Sequence, residues 1–369
     1  MSVLTQLYRG ETRIDFIGTR KRWYLASLLL LSICVLSIVF RGFNVGIDFK
    51  GGTQFQVKAA NTSITSKQVE EAMAATGHPS ESAAQQVGSG ATRQIVIKTK
   101  ELKIAEQSDV QRKLAAALKV DPNKGISVDS VSSSWGSEIT KKAIQGLLVF
   151  LLVVFAYITL RFEVKMAVGA MVALLHDLVV AAGVYSIVGF ELTPSTIVGL
   201  LTILGFSLYD TVVVFDKVAE NSKDLLATGR ETYASAANRA VNQTLMRSIN
   251  TSLISLLPVA GLLFVGAGIL GVGTIKDLAL ILFIGLAVGA YSSLFLATPV
   301  VVDLKNREAR YQGLEKRVQA KRSSRVTAES AVGAEPSVVG AAPIVRRGTP
   351  APAPKPGARP ASRPPRKRP

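Results

Sequence analysis

An α-helical polytopic membrane protein with six transmembrane helices, and an external α+β domain of ferredoxin-like pattern between helices 1 and 2, is the fold class this sequence predicts. Three observations carry it: six apolar runs of membrane-crossing length, one long polar interruption at residues 42–141, and charge confined to loops and tail. The 369 residues are 48% hydrophobic, with a mean hydropathy of +0.32, yet carry a formal charge of +17. Apolar and basic residues must therefore be segregated along the chain.

A helix needs about 20 apolar residues to cross roughly 30 Å of hydrocarbon. Residues 23–40, 143–160, 166–190, 196–215, 251–270 and 278–302 supply such runs. The first follows a segment 1–22 ending in "TRKR" and stops at Arg41-Gly42-Phe43 with no small-residue cleavage site, so it reads as a retained span. Arg20, Lys21 and Arg22 precede span one, Arg161 and Lys165 separate spans two and three, and Lys217, Lys223, Arg230 and Arg239 occupy segment 216–250. The opposite loops, "GFELTPS" and "GVGTIKD", hold Lys276 as their one base. Both termini are therefore expected in the cytoplasm and residues 42–141 outside. Cys34 is the single cysteine and lies in span one, where a packing role is expected.

Residues 42–141 are patterned like a soluble domain. Strand-like "GTQFQVKAA", "ESAAQQVGS", "RQIVIKTKE" and "GISVDSVSSS" are interleaved with helix-like "SKQVEEAMAATG" and "EQSDVQRKLAAALKV", in the βαββαβ order of a ferredoxin-like sandwich. Thr65 or Ser66 is placed to cap the first helix, and "ESAAQQVGS" alternates least regularly. The Gly-containing "GIDFKGG" and "SSSWGSEI" join the domain to spans one and two and have the composition of hinges. Residues 303–369 hold sixteen Lys or Arg against five Asp or Glu and end in "GTPAPAPKPGARPASRPPRKRP". That composition predicts a basic, Pro/Ala-rich disordered tail, with three readings open: a solvated topology anchor, contact with anionic lipid, or contact with the ribosome.

Polar groups inside the spans carry the functional signal. A carboxylate at the centre of a membrane helix costs about 2.5–3.5 kcal/mol on insertion scales, so it is expected to be protonated, paired or beside a wet cavity. Asp210, in "GFSLYDTVVVFDKVAEN", lies six residues before Asp216 at the end of span four, about 9 Å inside that boundary at helical rise. Asp177, in "ALLHDLVVA", lies near the middle of span three beside His176, and is either a helix-helix brace or a titrating group. Entering span five, Gln243, Arg247, Asn250 and Thr251 fall at i, i+4, i+7 and i+8 on one helical stripe. Arg247 either snorkels to the headgroups or faces Asp210 across the bundle. Asp177, Gln243, Asn250 and Thr251 are supporting candidates, and Gly285 and Gly289 in "IGLAVGAYSSLF" are expected to pack helices closely, as are Gly261, Gly266 and Gly268 of span five. No Gly-rich loop ends in Lys-Ser/Thr, and His78, His176 and Cys34 have no metal-ligand spacing. An enzyme, a metal site and an organic cofactor are therefore not expected.

Six motifs in order resemble the SecF family of bacterial protein export: "VGIDFKGGTQ", "SSSWGSEI", "ALLHDLV", "GFSLYDTVVVFDKVAEN", "NQTLMRSINTS" and "AVGAYSSLFLATP". The resemblance runs through residues 10–305 and leaves the tail outside. It implies a half-bundle of RND type that pairs with SecD, carries a periplasmic ferredoxin-like domain and sits in the bacterial cytoplasmic membrane. It further implies work beside the SecYEG translocon and YajC-like and YidC-like accessory proteins, with the proton as coupling ion and preproteins as the chains moved or released. It assigns the proton pathway to Asp210 and Arg247. Ala219 departs from the family's "DRxREN" run, where many relatives carry Arg, and this bears on loop contacts. Two other functions stay open: a passive scaffold of the translocon, which would make Asp210 and Arg247 dispensable, and an RND-like lipid or drug exporter subunit.

Overall fold

Hydroxyl caps and glycines decide where the helices begin and end. The computed structural model describes residues 14–60, 63–88, 90–269 and 273–332. From the amino end come α1 (Arg20–Arg41), β1 (Asn44–Val45), α2 (Ile47–Lys50), β2 (Gly52–Lys58), α3 (Ser66–Ala75), β3 (Gln85–Val87), β4 (Gln94–Thr99), α4 (Ile104–Leu118), α5 (Pro122–Gly125) and β5 (Ile126–Val131). Then follow α6 (Ser133–Arg161), α7 (Val164–Val188), β6 (Glu191–Leu192), α8 (Pro194–Ser222), α9 (Leu225–Thr228), α10 (Tyr233–Gly261), α11 (Gly273–Ser292), α12 (Thr298–Asn306) and α13 (Ala309–Val332). A π-helical turn, Leu262–Ile269, extends α10, and another, Ser293–Ala297, joins α11 to α12. Ser132, Thr193 and Thr232 cap α6, α8 and α10 by accepting from N–H groups of the first turn, which would otherwise lack partners. Gly189, left-handed at φ +79°, stops α7.

Among the described residues, six helices are long and apolar enough to cross a membrane. α7 is the central one: Ala167, Ala170, Ala173, Leu174, Val180 and Ala181 are all buried, and small side chains there admit close neighbours. α1 fits against it where Cys34, fully buried, fills the notch at Gly183; a methyl group added to that glycine would lie 2.2 Å from Cys34 Cβ. α8 meets α11 along a second seam, where added methyl groups would lie 2.3 Å from Ile281 at Gly199, 2.2 Å from Ile203 at Gly285 and 3.1 Å from Ser207 at Gly289. Gly261, read as part of such a face, has nothing within 4 Å, and Gly266 meets only Leu262 at 3.5 Å. Gly268 lies among residues whose side chains are not described.

The helices outrun the apolar segments that mark them. α10 begins at Tyr233, inside segment 216–250, because its polar first turns bind the chain's amino-terminal part. Asn238 Oδ1 accepts from Phe16 N at 2.8 Å, Asn242 Oδ1 accepts from Ile14 N at 3.0 Å, and both amide groups donate to Ile14 O.

Residues 52–131 form a separate α/β unit with antiparallel strand order β3-β4-β2-β5 and registers Phe55↔Ile97 and Phe55↔Val128. Val69 and Met73 of α3 and Val110 and Leu114 of α4 close a core with Phe55, Val57, Ile95, Ile97 and Ile126. Thr65 caps α3 through a reciprocal pair with Gln68. β3 covers only Gln85–Val87, in keeping with its weak alternation.

The segments with the composition of hinges pack closely where this unit meets the helices. A methyl group at Gly51 would lie 2.6 Å from Ser133 Cα, and one at Gly136 would lie 2.7 Å from Phe49 O. Gly51 also has φ +78°, a conformation that L side chains adopt at a cost. Glu101 accepts from both Ser133 N and Ser133 Oγ, at 3.1 and 2.8 Å, and these bonds hold its carboxyl below the usual range. β1 pairs in parallel with β6, and Lys98 of β4 forms an ion pair with Glu191 of β6.

The expectation of disorder from residue 303 is corrected. α13 runs to Val332, and Tyr311, Leu314 and Val318, spaced at i, i+3 and i+7, are buried in the main core. Lys305 is fully buried, ion-paired with Glu163, and lies 5.7 and 5.2 Å from the rings of Tyr233 and Tyr311. Burial works to raise the Glu308 carboxyl, but hydrogen bonds from Arg310 and Lys165 and the charge of Lys305 hold it at about 2. The Pro-rich remainder of the expected tail, 333–369, lies outside the described residues.

Two expected outcomes follow from this packing. Ending the chain after Asn306 removes Leu314 and Val318, about 3–6 kcal/mol of apolar burial, and should lower the melting temperature in detergent clearly. Ending it after Ala320 should leave that temperature unchanged; equal falls for both would show that α13 does not stabilise the bundle. Gly285→Leu should cost about 1–3 kcal/mol by overpacking against Ile203, whereas Gly261→Ala, which faces open space, should be neutral.

Candidate functional site

Buried carboxylates inside an apolar bundle need donors, and here serines supply them. Asp210 of α8 is 8% exposed. Ser248 of α10 donates to its Oδ1 at 2.6 Å, and Ser293, at the start of the π turn after α11, donates to its Oδ2. One side chain thus ties three membrane helices together. Asp177 of α7, 1% exposed, forms a second node: Ser207 of α8 and Ser292 of α11 donate to its Oδ2 at 2.6 and 2.7 Å, and His176 Nδ1 lies 3.2 Å from its Oδ1. The consecutive Ser292 and Ser293 serve different carboxylates because successive helical residues point about 100° apart. They sit where α geometry changes to π, a feature that recurs at functional sites.

A cleft reaches Asp210, lined also by Ser207, Thr251, Ser252, Ser255 and Gly289. Along α8 and α11 these residues precede Asp210 and Ser293, and along α10 they follow Ser248. α8 starts beside the β1–β6 pair, so the cleft lies on the side of Asp210 that faces the α/β unit. Gly289 keeps it open: any side chain there would press on Ser207.

The structure does not bring Arg247 to Asp210. Arg247 is exposed, its Nη2 donating to Tyr209 Oη at 3.4 Å, and among the described residues no ion pair joins it to either carboxylate. The next residue, Ser248, takes the place expected of it. Gln243 and Asn250 lie on the same exposed face, with Gln243 Oε1 accepting from Asn221 Nδ2 at 3.0 Å. Of the stripe read from the sequence, Thr251 alone lines the cleft. Ser207, Ser248, Ser292 and Ser293 are what sequence reasoning missed as partners, since a serine in an apolar span reads as a small packing residue until a carboxylate is placed opposite it. Among the described residues no three His, Cys, Asp or Glu side chains gather as a metal would require.

With this geometry in view, comparison with known proteins is informative. Residues 36–62 match the SecD/SecF GG motif, which contains Gly51 and Gly52, and residues 111–307 match the family described as protein export membrane protein SecD/SecF, C-terminal. The chain is 47% identical over 320 residues to protein translocase subunit SecF of Streptomyces coelicolor, covering 86% of this chain and 84% of the relative. It is 47% identical over 334 residues to protein translocase subunit SecF of Mycobacterium tuberculosis strain H37Rv, covering 88% and 74%. The crystal structure of SecDF from the Thermus bacterium aligns with a TM-score of 0.71 at 33% identity, over 81% of this chain and 39% of that one. The chain therefore matches less than half of that longer SecDF, while it spans most of its SecF relatives. Six membrane-length helices among the described residues, the GG motif packed against the start of α6, and 47% identity to a translocase subunit over 86% of the chain together place the chain in the SecD/SecF family of protein-export membrane proteins, as one of its SecF members.

Proposed function

We propose that the chain serves protein export as the SecF half of a SecD–SecF assembly, and that protonation of Asp210 is the step that couples proton entry to helix movement. One observation supports this above the rest: a buried carboxylate, held by hydroxyls from two other helices, borders a cleft on the side of the α/β unit. An ionised carboxylate is acceptor-only and satisfies Ser248 and Ser293 together, whereas a protonated one carries a donor of its own. Adding a proton reverses or weakens at least one of the two serine bonds, and with it loosens the tie of α10 or α11 to α8. The membrane potential supplies about 2.3 kcal/mol per charge per 100 mV, enough to bias two packings by tens-fold.

On this reading both termini face the cytoplasm of a bacterial cell and the α/β unit lies outside, where it meets translocating preproteins beside SecYEG and its accessory proteins. The basic loops at the far end of the helices support that orientation. Residues 52–131 are read as a ferredoxin-like sandwich, which strand order β3-β4-β2-β5 favours. Gln243, Arg247 and Asn250 form an exposed polar face on a membrane helix, a costly arrangement unless another bundle covers it, and SecD is the partner placed there. Arg247, one residue from Ser248, is then the cation that replaces the serine on Asp210 in another step of the cycle, with the proton as coupling ion and no organic cofactor.

Export into inverted vesicles, with and without a proton gradient, tests this reading. Asp210→Asn keeps shape and should still assemble with SecD, yet lose the gradient-dependent part of export. Arg247→Met should stall the same step while leaving gradient-independent export in place. Full gradient stimulation in both variants would favour the passive scaffold.

A further inference from the structure

We propose that Asp177 is a second proton-accepting group, fed from the same cleft as Asp210 through the hydroxyl of Ser207. This rests on the proton-coupled reading of Asp210 and extends it inward by one helix. The observation behind it is that Ser207 belongs to two settings at once: it lines the cleft beside Asp210, and its Oγ donates to Asp177 Oδ2 at 2.6 Å. The transfer balances without a further reagent. A hydronium ion in the cleft gives its extra proton to Ser207 Oγ as the serine's own hydroxyl proton passes to Asp177, which leaves water in the cleft and the serine neutral before and after.

A brace between helices does not explain the choice of residue. Asparagine would hydrogen-bond Ser207 and Ser292 without a carboxylate's cost of about 2.5–3.5 kcal/mol in the middle of a membrane helix. No lysine or arginine among the described residues pairs with Asp177, so the carboxylate is not held ionised by a fixed cation. The titratable groups around it are His176 on its own helix, Asp210 from α8, Tyr291 from α11 and Cys34 from α1. Tyr291, whose ring lies 6.1 Å from that of His176, is hydrogen-bonded with Ser27, and Cys34 lies 3.9 Å from Val180 O.

His176 adds an independent sign. It is 3% exposed, its Nδ1 lies 3.2 Å from Asp177, and its Nε2 is buried with no hydrogen-bond partner among the described residues. Most buried polar atoms are paired, since each one left unpaired costs about 1–3 kcal/mol. Once Asp177 is protonated, an imidazole carrying its own proton on Nε2 accepts from it through Nδ1, so the two side chains can share the arriving proton.

The test compares Asp177→Asn, Asp177→Glu, Ser207→Ala and Asp210→Asn, each assembled with SecD, for gradient-driven export as the pH on the side of the α/β unit is varied. Asp177→Asn should fall at least about tenfold, equivalent to about 1.4 kcal/mol. Asp177→Glu should keep most of the rate with a displaced pH profile, a shift that a merely structural group would not produce. If Asp177→Asn fails to assemble, Ser207→Ala decides: it leaves Asp177 and Ser292 in place and should slow gradient-driven export severalfold. An unchanged rate and pH profile in Asp177→Asn, or in Ser207→Ala where the former cannot be assembled, overturns the proposal. If Asp210→Asn alone abolishes the stimulation, only this extension fails; if Asp210→Asn is also silent, the proton-coupled reading fails with it.

Discussion

The rest of the bundle depends on one constraint: two carboxylates buried in hydrocarbon must find donors, and the donors come from neighbouring helices. Ser248 and Ser293 meet Asp210 while Ser207 and Ser292 meet Asp177, so α7, α8, α10 and α11 are fixed in register by four hydroxyls. Apolar packing between membrane helices has little direction, because lipid tails are as apolar as leucine. Hydrogen bonds to a charge have direction and about twice the strength of neutral ones, an advantage that is lost when a proton arrives. The glycines of the α8–α11 seam make the arrangement possible by letting Ile203 and Ser207 approach α11.

A second joint connects the bundle to the α/β unit. Residues 44–52 lie between α1 and the α/β unit, and glycines pack them against the first turns of α6. The β1–β6 pair and the Lys98–Glu191 ion pair add a connection to the loop between α7 and α8. α7 and α8 are the helices that carry Asp177 and Asp210. On the proposed reading, a shift of α8 relative to α7 would be felt by the α/β unit through these contacts. At the other end, Lys305, Glu163, Glu308 and Tyr311 clamp α12 and α13 onto the bundle.

Much of this was legible in the amino acids because hydrocarbon imposes simple rules. Apolar length located the six helices, and six short motifs pointed to the family. The isolated acids Asp177 and Asp210 stood out for the same reason that they are costly. Their partners did not, because a serine carries almost the same sequence signal whether it packs or donates. Arg247 was expected opposite Asp210, since charge invites pairing; helical phase instead turned it outward and Ser248 inward, a difference of one residue that depth alone does not resolve. α13 was hidden by its composition: three apolar residues on one face anchor a helix that is otherwise mostly polar and exposed.

The central claim is that Asp210 changes protonation in the working cycle, and infrared difference spectroscopy of the SecD-assembled protein in lipid addresses it directly. A gradient imposed across the membrane, acid on the side of the α/β unit, should produce a carboxylic acid carbonyl band that is absent at zero gradient and absent from Asp210→Asn. A spectrum in which no band assignable to Asp210 responds to the gradient would contradict the account.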